Sequence, residues 1–338
     1  MFQTEIIILL QSYSNDYLNT FFQLVTSLGY SDFIYSFFII IIFGINYRIG
    51  FILLYLAIWN GISTNLLKEI FALPRPANVD SAVQLLGKDY LNPTFLKGMG
   101  AESFFGLLPK ESIQYLRTNR FDSYGFPSGH TSNAVVLWGG ILLFLKNSRL
   151  TIFCALLILL IPLSRMYLGR HFLADILGGY LVGSFSLYIF WRYVFYNESL
   201  KNFVFRSDEK IELNLKTKIF ILHSFILPLL LILTFKVNYQ YTANLLGLNL
   251  GFFLIWLKST PDDSGGIFKR IVRVTIILCL FYTANSIWDQ VVEILLFNES
   301  IFATYTLRVL LDGFLVWSST EINIKMGLMQ ESGMKNPI

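Results

Sequence analysis

The strongest constraint on this chain is a recurring one. Long, predominantly apolar runs keep returning along its length, broken by short polar turns. A helix that crosses a bilayer needs roughly 20 such residues, and every backbone polar group within it must be satisfied inside the segment. Candidate spans fall at 30–45, 50–67, 128–145, 150–168 and 172–194, then at 219–235, 243–257, 271–288 and 301–317. The expected fold class is therefore all-α, a polytopic membrane helical bundle of about nine transmembrane helices. The opening stretch 5–26 is apolar but interrupted by Ser12, Ser14, Asn15 and Asp16. With no basic region ahead of it, it reads as an N-terminal interfacial helix rather than a signal peptide.

Composition agrees. The 338 residues are 54% hydrophobic and 14% charged, too little charge to clothe a water-facing surface, which usually takes about 25%. That excludes a nucleic-acid module, a disordered chain and an ordinary cytosolic enzyme. A net charge of +4 calls for no polyanionic partner. Cys154 and Cys279 both lie in apolar runs and read as reduced packing residues rather than a disulfide.

Orientation follows from the short loops. Arg48, Lys146, Arg149, Arg192, Lys258, Lys269 and Arg270 all fall on one side of a nine-span chain, and the positive-inside rule makes that side cytoplasmic. Residues 1–195 then form one unit, with an extracytoplasmic insertion at 74–127, and 196–338 form a C-terminal extension of about four helices.

Ionisable residues near membrane depth are costly, so each is a functional suspect. Lys68, Arg75 and Pro76 fall at the end of the second span, and Pro127, Ser128, Gly129 and His130 open the third. Ser164 and Arg165 close the fourth, while His171 and Asp175 begin the fifth. Counting crossings puts all these helix ends on the non-cytoplasmic face. Lys68, Arg75 and Arg165 suit a phosphate-sized oxyanion, Arg as a planar fork and Lys as a point charge. Ser128 and Gly129 at a helix start add backbone N–H groups and a hydroxyl. Asp175 lies four residues after His171, on the same helical face, placed to accept one ring N–H and leave the other nitrogen free to attack. His130 is then the candidate proton donor to a leaving oxygen. This set points to phosphoryl transfer with no obligatory metal and no cofactor.

These segments resemble the signature of the type 2 phosphatidic acid phosphatase superfamily: Lys-x6-Arg-Pro, then Pro-Ser-Gly-His, then Ser-Arg-x5-His-x3-Asp. The chain carries all three in order, at Lys68/Arg75/Pro76, at 127–130 and at Ser164/Arg165/His171/Asp175. Residues 1–195 carry the resemblance, with some likeness to sphingoid-base-phosphate phosphatases and glucose-6-phosphatases. It implies that His171 forms a phosphohistidine, that His130 is the acid, and that Lys68, Arg75, Ser128, Gly129 and Arg165 bind phosphate. The implied activity is hydrolysis of a lipid phosphate monoester or diphosphate on the extracytoplasmic face of a bacterial inner membrane or an endomembrane. The partners expected are the lipid phosphate and the surrounding membrane lipids, with no nucleic acid. A lipid phosphotransferase would use the same phosphohistidine, and an anion or lipid transporter would use the basic pocket without chemistry. Outside the motifs, His223 reads as structural, and Arg308 and Asp312, four apart, as a pair on one helical face. Arg170 reads as a substrate or headgroup contact, and Tyr124, Phe126 and Tyr167 as pocket walls or interfacial aromatics.

Overall fold

The structure, a computed structural model, describes residues 1–87, 100–119, 124–144, 147–192, 215, 218–219, 222–234, 239–258, 261–297 and 301–331. Lys146, the ends of the third, fifth and sixth expected spans, and residues 88–99 and 120–123 of the insertion lie outside these. Among the described residues the chain is all-α apart from a two-residue antiparallel pairing of Pro261–Asp262 with Gln330–Glu331. It divides into two compact units, one of 1–34 and 60–191 and the other of 35–59 and 192–338.

In the first unit, the apolar opening stretch forms two helices rather than one, α1 (Glu5–Gln11) and α2 (Asp16–Ser27). The interrupting polar residues supply the break: Asn15 caps α2 by accepting from the Leu18 N–H, as short polar side chains do at helix starts. Both helices pack on α9, defined below, and α2 is followed by α3 (Ser31–Ile40). The chain then runs through α4 (Tyr47–Phe71), whose residues 60–71 belong to this unit, a short α5 (Pro76–Val79) and α6 (Lys110–Asn119). Next come α7 (Gly129–Ala134), a π turn at Val135–Gly139, α8 (Gly140–Phe144), α9 (Ser148–Tyr167) and α10 (Leu173–Phe190).

Small residues let α7 and α10 approach closely. A Cβ on Gly179 would meet the Ser128 carbonyl oxygen at 2.6 Å and Thr131 Cβ at 2.7 Å, and one on Gly183 would meet the Ser132 carbonyl oxygen at 2.7 Å. Beside this contact, Asn60 Nδ2 donates to Asn133 Oδ1 at 2.7 Å and Ser186 Oγ donates to Asn60 Oδ1 at 3.2 Å. Thr64 and Ser132 share a hydroxyl bond of 3.0 Å. Such side-chain bonds hold helices together where lipid gives no hydrophobic drive. Above them, Phe2, Ile7, Val79, Val83, Leu108, Phe172 and Ala174 form a buried apolar cluster that joins α1 and the insertion to the start of α10.

The second unit contains α11 (Leu227–Thr234), α12 (Tyr239–Lys258), α13 (Ile267–Phe297) and α14 (Ile301–Lys325). Here α12 lies on α14 through Gly247 and Gly251, where added Cβ atoms would meet the Val309 oxygen at 2.7 Å and the Gly313 oxygen at 2.6 Å. Arg308 pairs with Asp312 at 3.0 Å and also donates to Asn244 at 3.1 Å and Asn285 at 3.0 Å. The pair is thus a fixture across three helices. His223 Nδ1 meets the Tyr55 hydroxyl at 2.6 Å and its ring stacks over Trp59 at 4.7 Å, which fits a structural role. Cys154 is buried and Cys279 exposed, both unbridged. Cys279 thus departs from its reading as a packing residue, because it faces outward on α13.

Among the described residues, α4, α9, α10 and α13 are long and apolar enough to cross a membrane, and α2 with α3, bent by 55°, makes a fifth if counted as one span. Length and composition thus account for four or five of the nine expected crossings. In α12 and α14 polar residues such as Asn244, Asn249, Arg308 and Asp312 dilute the apolar content.

The packing predicts opposite outcomes at two glycines. Gly179→Val should cost about 1–3 kcal/mol through overpacking, read as a lowered thermal midpoint in detergent. Gly266→Val, where a Cβ would meet nothing within 4 Å, should leave the midpoint unchanged.

Candidate active site

The last turn of α4 carries Lys68, and Arg75 sits as the residue before α5, four positions past the helix end. Lys68 Nζ donates to the Tyr124 carbonyl at 2.6 Å. Arg75 is buried, and its Nη1 donates to the Arg170 carbonyl at 3.0 Å and approaches His171 Nε2 at 3.3 Å. Arg165, in the last turn of α9, is buried and donates from Nη1 to Thr26 Oγ1 at 2.9 Å. Each of these three cations is thus oriented by at least one neutral oxygen.

His171 lies in the short turn between α9 and α10 and is buried. Its Nδ1 faces Asp175 Oδ2 at 3.1 Å, and the same oxygen accepts the Phe172 N–H at 3.0 Å. A carboxylate accepts, so Nδ1 carries the proton and the lone pair is on Nε2, toward Arg75. Burial first, then the charges of Arg75, Lys68 and Arg165, push the His171 pKa well below the ordinary imidazole value. The ring is held neutral, the form in which nitrogen is a nucleophile.

Ser128 caps α7: its Oγ accepts the Thr131 N–H at 3.4 Å, and its own N–H donates to the Asp175 carbonyl at 2.9 Å. The start of α7 is thereby pinned to the start of α10. Gly129 is not forced by crowding, since a Cβ there would meet only Thr64 Cγ2 at 3.8 Å. His130 follows in the first turn, with Nε2 buried and without a hydrogen-bond partner among the described residues. An orphaned imidazole nitrogen is costly to bury, and a bound oxygen would satisfy it.

The structure thus brings His171, Asp175, Arg75 and Ser128 into one hydrogen-bonded constellation, with the Lys68 and Arg165 charges bearing on the same histidine. Of the flanking residues, Arg170 is buried and lends its carbonyl to Arg75, while Tyr124 lends its carbonyl to Lys68. Phe126 packs edge-on against Phe71 at 5.0 Å, and Tyr167 stacks on Phe22 at 4.4 Å.

Sequence reasoning missed the contribution of the N-terminal helices. Thr26 holds Arg165, and Gly29 lets the His130 ring sit where any Cβ would collide with it. Tyr30 meets that ring edge-on at 5.1 Å. Gln11 donates to the Tyr167 carbonyl at 2.9 Å and to the Gln84 carbonyl at 2.7 Å. The available signal was the polar residues Gln11, Asn19 and Thr26 inside an apolar run, which demand partners.

The depressed pKa has a consequence for stability. The unfolded chain binds a proton at His171 near pH 6.5, whereas the folded protein does so only at lower pH, so stability falls as pH drops through about 6.5. Thermal midpoints between pH 8 and 5 should show this decline, and His171→Asn should remove its share.

Residues 49–199 match the family described as the PAP2 superfamily. A similar protein is phosphatidylglycerophosphatase B of Bacillus subtilis (strain 168), 28% identical over 154 residues, which cover 41% of this chain and 74% of that protein. No solved structure matches the chain. The family match spans α4 to the end of α10 and takes in all three motifs at the site, so through this region the chain is similar to the PAP2 superfamily.

Proposed function

We propose that the protein is a membrane phosphatase that hydrolyses a lipid phosphate through a phosphohistidine at His171. The observation that carries this reading is His171 itself, oriented by Asp175 at 3.1 Å and with Arg75 3.3 Å from its free nitrogen. A phosphate oxygen displacing the Arg75–His171 contact would take the guanidinium as its partner and bring phosphorus to Nε2. Lys68, Arg165 and the first turn of α7 surround the remaining oxygens. The N–P bond forms as the P–O bond to the lipid breaks, and His130 delivers a proton to the departing lipid oxygen. Water then gives a proton to His130 as its oxygen attacks phosphorus, the N–P bond breaks, and inorganic phosphate leaves with both histidines restored. Charge building on the transferring phosphoryl group meets three fixed cations, the role that a metal plays in other phosphatases. The similarity to phosphatidylglycerophosphatase B favours a glycerophospholipid-type substrate whose phosphate lies at headgroup depth.

Role assignments can be tested on purified protein assayed in EDTA. His171→Ala should lose about 10⁴-fold or more in turnover, because the covalent route is gone. His130→Ala should slow a lipid phosphate strongly and an activated aryl phosphate mildly, since the aryl oxide leaves without a proton. Near-normal turnover by both variants on every substrate would sink the mechanism, and activity lost in EDTA and restored by Mg²⁺ would sink the metal-free cage.

In this reading the chain crosses the membrane about nine times. The loops bearing Arg48, Arg149 and Arg192 are cytoplasmic, and the site opens to the periplasm or a lumen. In a Cys279→Ser background, Ser103→Cys in the insertion should react with an impermeant thiol reagent in intact cells or sealed right-side-out vesicles. Ser148→Cys, at the start of α9, should react only after the membrane is opened. The reverse labelling would place the chemistry in the cytoplasm.

A further inference from the structure

Between α5 and α6 the insertion makes a loop clipped at both ends. Ala101 and Leu108 are buried in the apolar cluster that holds Phe172 and Ala174, and the Ala101 N–H donates to the Phe2 carbonyl at 3.1 Å. Between these anchors the chain turns, with the Gly106 N–H donating to the Ser103 carbonyl at 2.9 Å. The turn projects Phe104, Phe105 and Leu107 outward, at 43%, 80% and 79% exposure. The two Phe rings meet edge-on at 5.0 Å and brace each other. Three large apolar side chains on a braced turn are not scattered surface residues, and such a patch marks an interaction surface.

Its surroundings say what covers it. On α6, which follows directly, Arg117 Nη2 donates to the carbonyl of Phe71, the last residue of α4. That end of α4 exposes Ile70 and Phe71 at 54% and 40%, next to an exposed Glu69. One turn of α4 thus carries Lys68 into the site and Ile70 and Phe71 outward. The charges of the loop and the start of α6 are mixed, with Glu102 and Glu111 against Lys110 and Arg117, all exposed. Attraction to anionic headgroups is therefore not the basis of binding, and apolar burial is.

We propose that Phe104, Phe105 and Leu107 form a wedge that inserts into the outer leaflet beside the active site, its partner being the acyl-chain boundary of the surrounding bilayer. The inference rests on the lipid-phosphatase reading, and gives the wedge a task within it. Anchored through Leu108 to the cluster beside His171, it holds the insertion against the membrane and lets a lipid phosphate enter the site with its chains still in the leaflet. A substrate without long chains makes no use of it.

The test uses the full-length protein in vesicles of phosphatidylethanolamine and phosphatidylglycerol. A polarity-sensitive fluorophore on Phe105→Cys, in a Cys279→Ser background, should be quenched by lipids brominated along their chains. Lack of quenching, or cross-linking between copies through this position in its place, overturns the proposal. In the second arm, Phe105→Ser with Leu107→Ser should raise KM for a long-chain phosphatidate in the vesicles about tenfold, the effect of losing apolar insertion. It should leave kcat/KM for soluble dibutyryl phosphatidate unchanged. Equal loss on both substrates means that the loop only supports the fold, and no loss on either means that the wedge is idle; each overturns the proposal. Should the wild type hydrolyse neither phosphatidate, the phosphatase reading fails by itself, while quenching still decides whether the loop enters lipid.

Discussion

Positive charge gathered around one buried histidine is the condition on which the first unit depends. Lys68 is fixed by the Tyr124 carbonyl, Arg75 by the Arg170 carbonyl and Arg165 by the Thr26 hydroxyl. Carbonyls and a hydroxyl orient the three cations around His171. The cost is mutual repulsion in a medium that screens poorly, and it is offset only by surrounding structure that keeps the three apart. The N-terminal helices, the Ser128–Asp175 link and the insertion cluster all act as parts of that frame.

Much of this was legible in the sequence, for physical reasons. The spacing of His171 and Asp175 survives translation into structure because Asp175, in the first turn of α10, reaches back past the N-cap Phe172 to the residue before it. The helix ends bearing Lys68, Ser128, Arg165 and His171 were placed by apolar run length alone. What could not be read was which residues from elsewhere touch these ends. Thr26 ends the segment that reads as interfacial and Tyr30 opens the first expected span, and only tertiary packing makes Thr26 an acceptor for Arg165 and Gly29, between them, a seat for His130. The polar residues of α12 and α14 show the opposite difficulty. Asn244, Arg308 and Asp312 satisfy one another across helices, so their polarity, which obscures a span in a hydropathy profile, is paired within the second unit.

Glycine carries two meanings in this chain that its sequence does not separate. Gly179 is demanded by the carbonyl of Ser128 pressing against it, and Gly29 by the His130 ring. Gly129, inside the most recognisable motif, has room for a side chain.

The π turn at Val135–Gly139 has its own consequence. A π turn takes one residue more than an α turn, so everything after it is rotated about the helix axis. Before the turn, the helix presents Ser132 and Asn133 to α4; after it begins, Trp138 meets Phe153 at 5.8 Å and Phe33 at 6.4 Å. One length of helix thereby answers two phase requirements that a regular spiral would set in conflict. The end that bears His130 keeps its register against the polar seam while the far end keeps its own against aromatic neighbours. Substitutions that tune the distal half for a different membrane thickness can therefore accumulate without turning His130 away from its place.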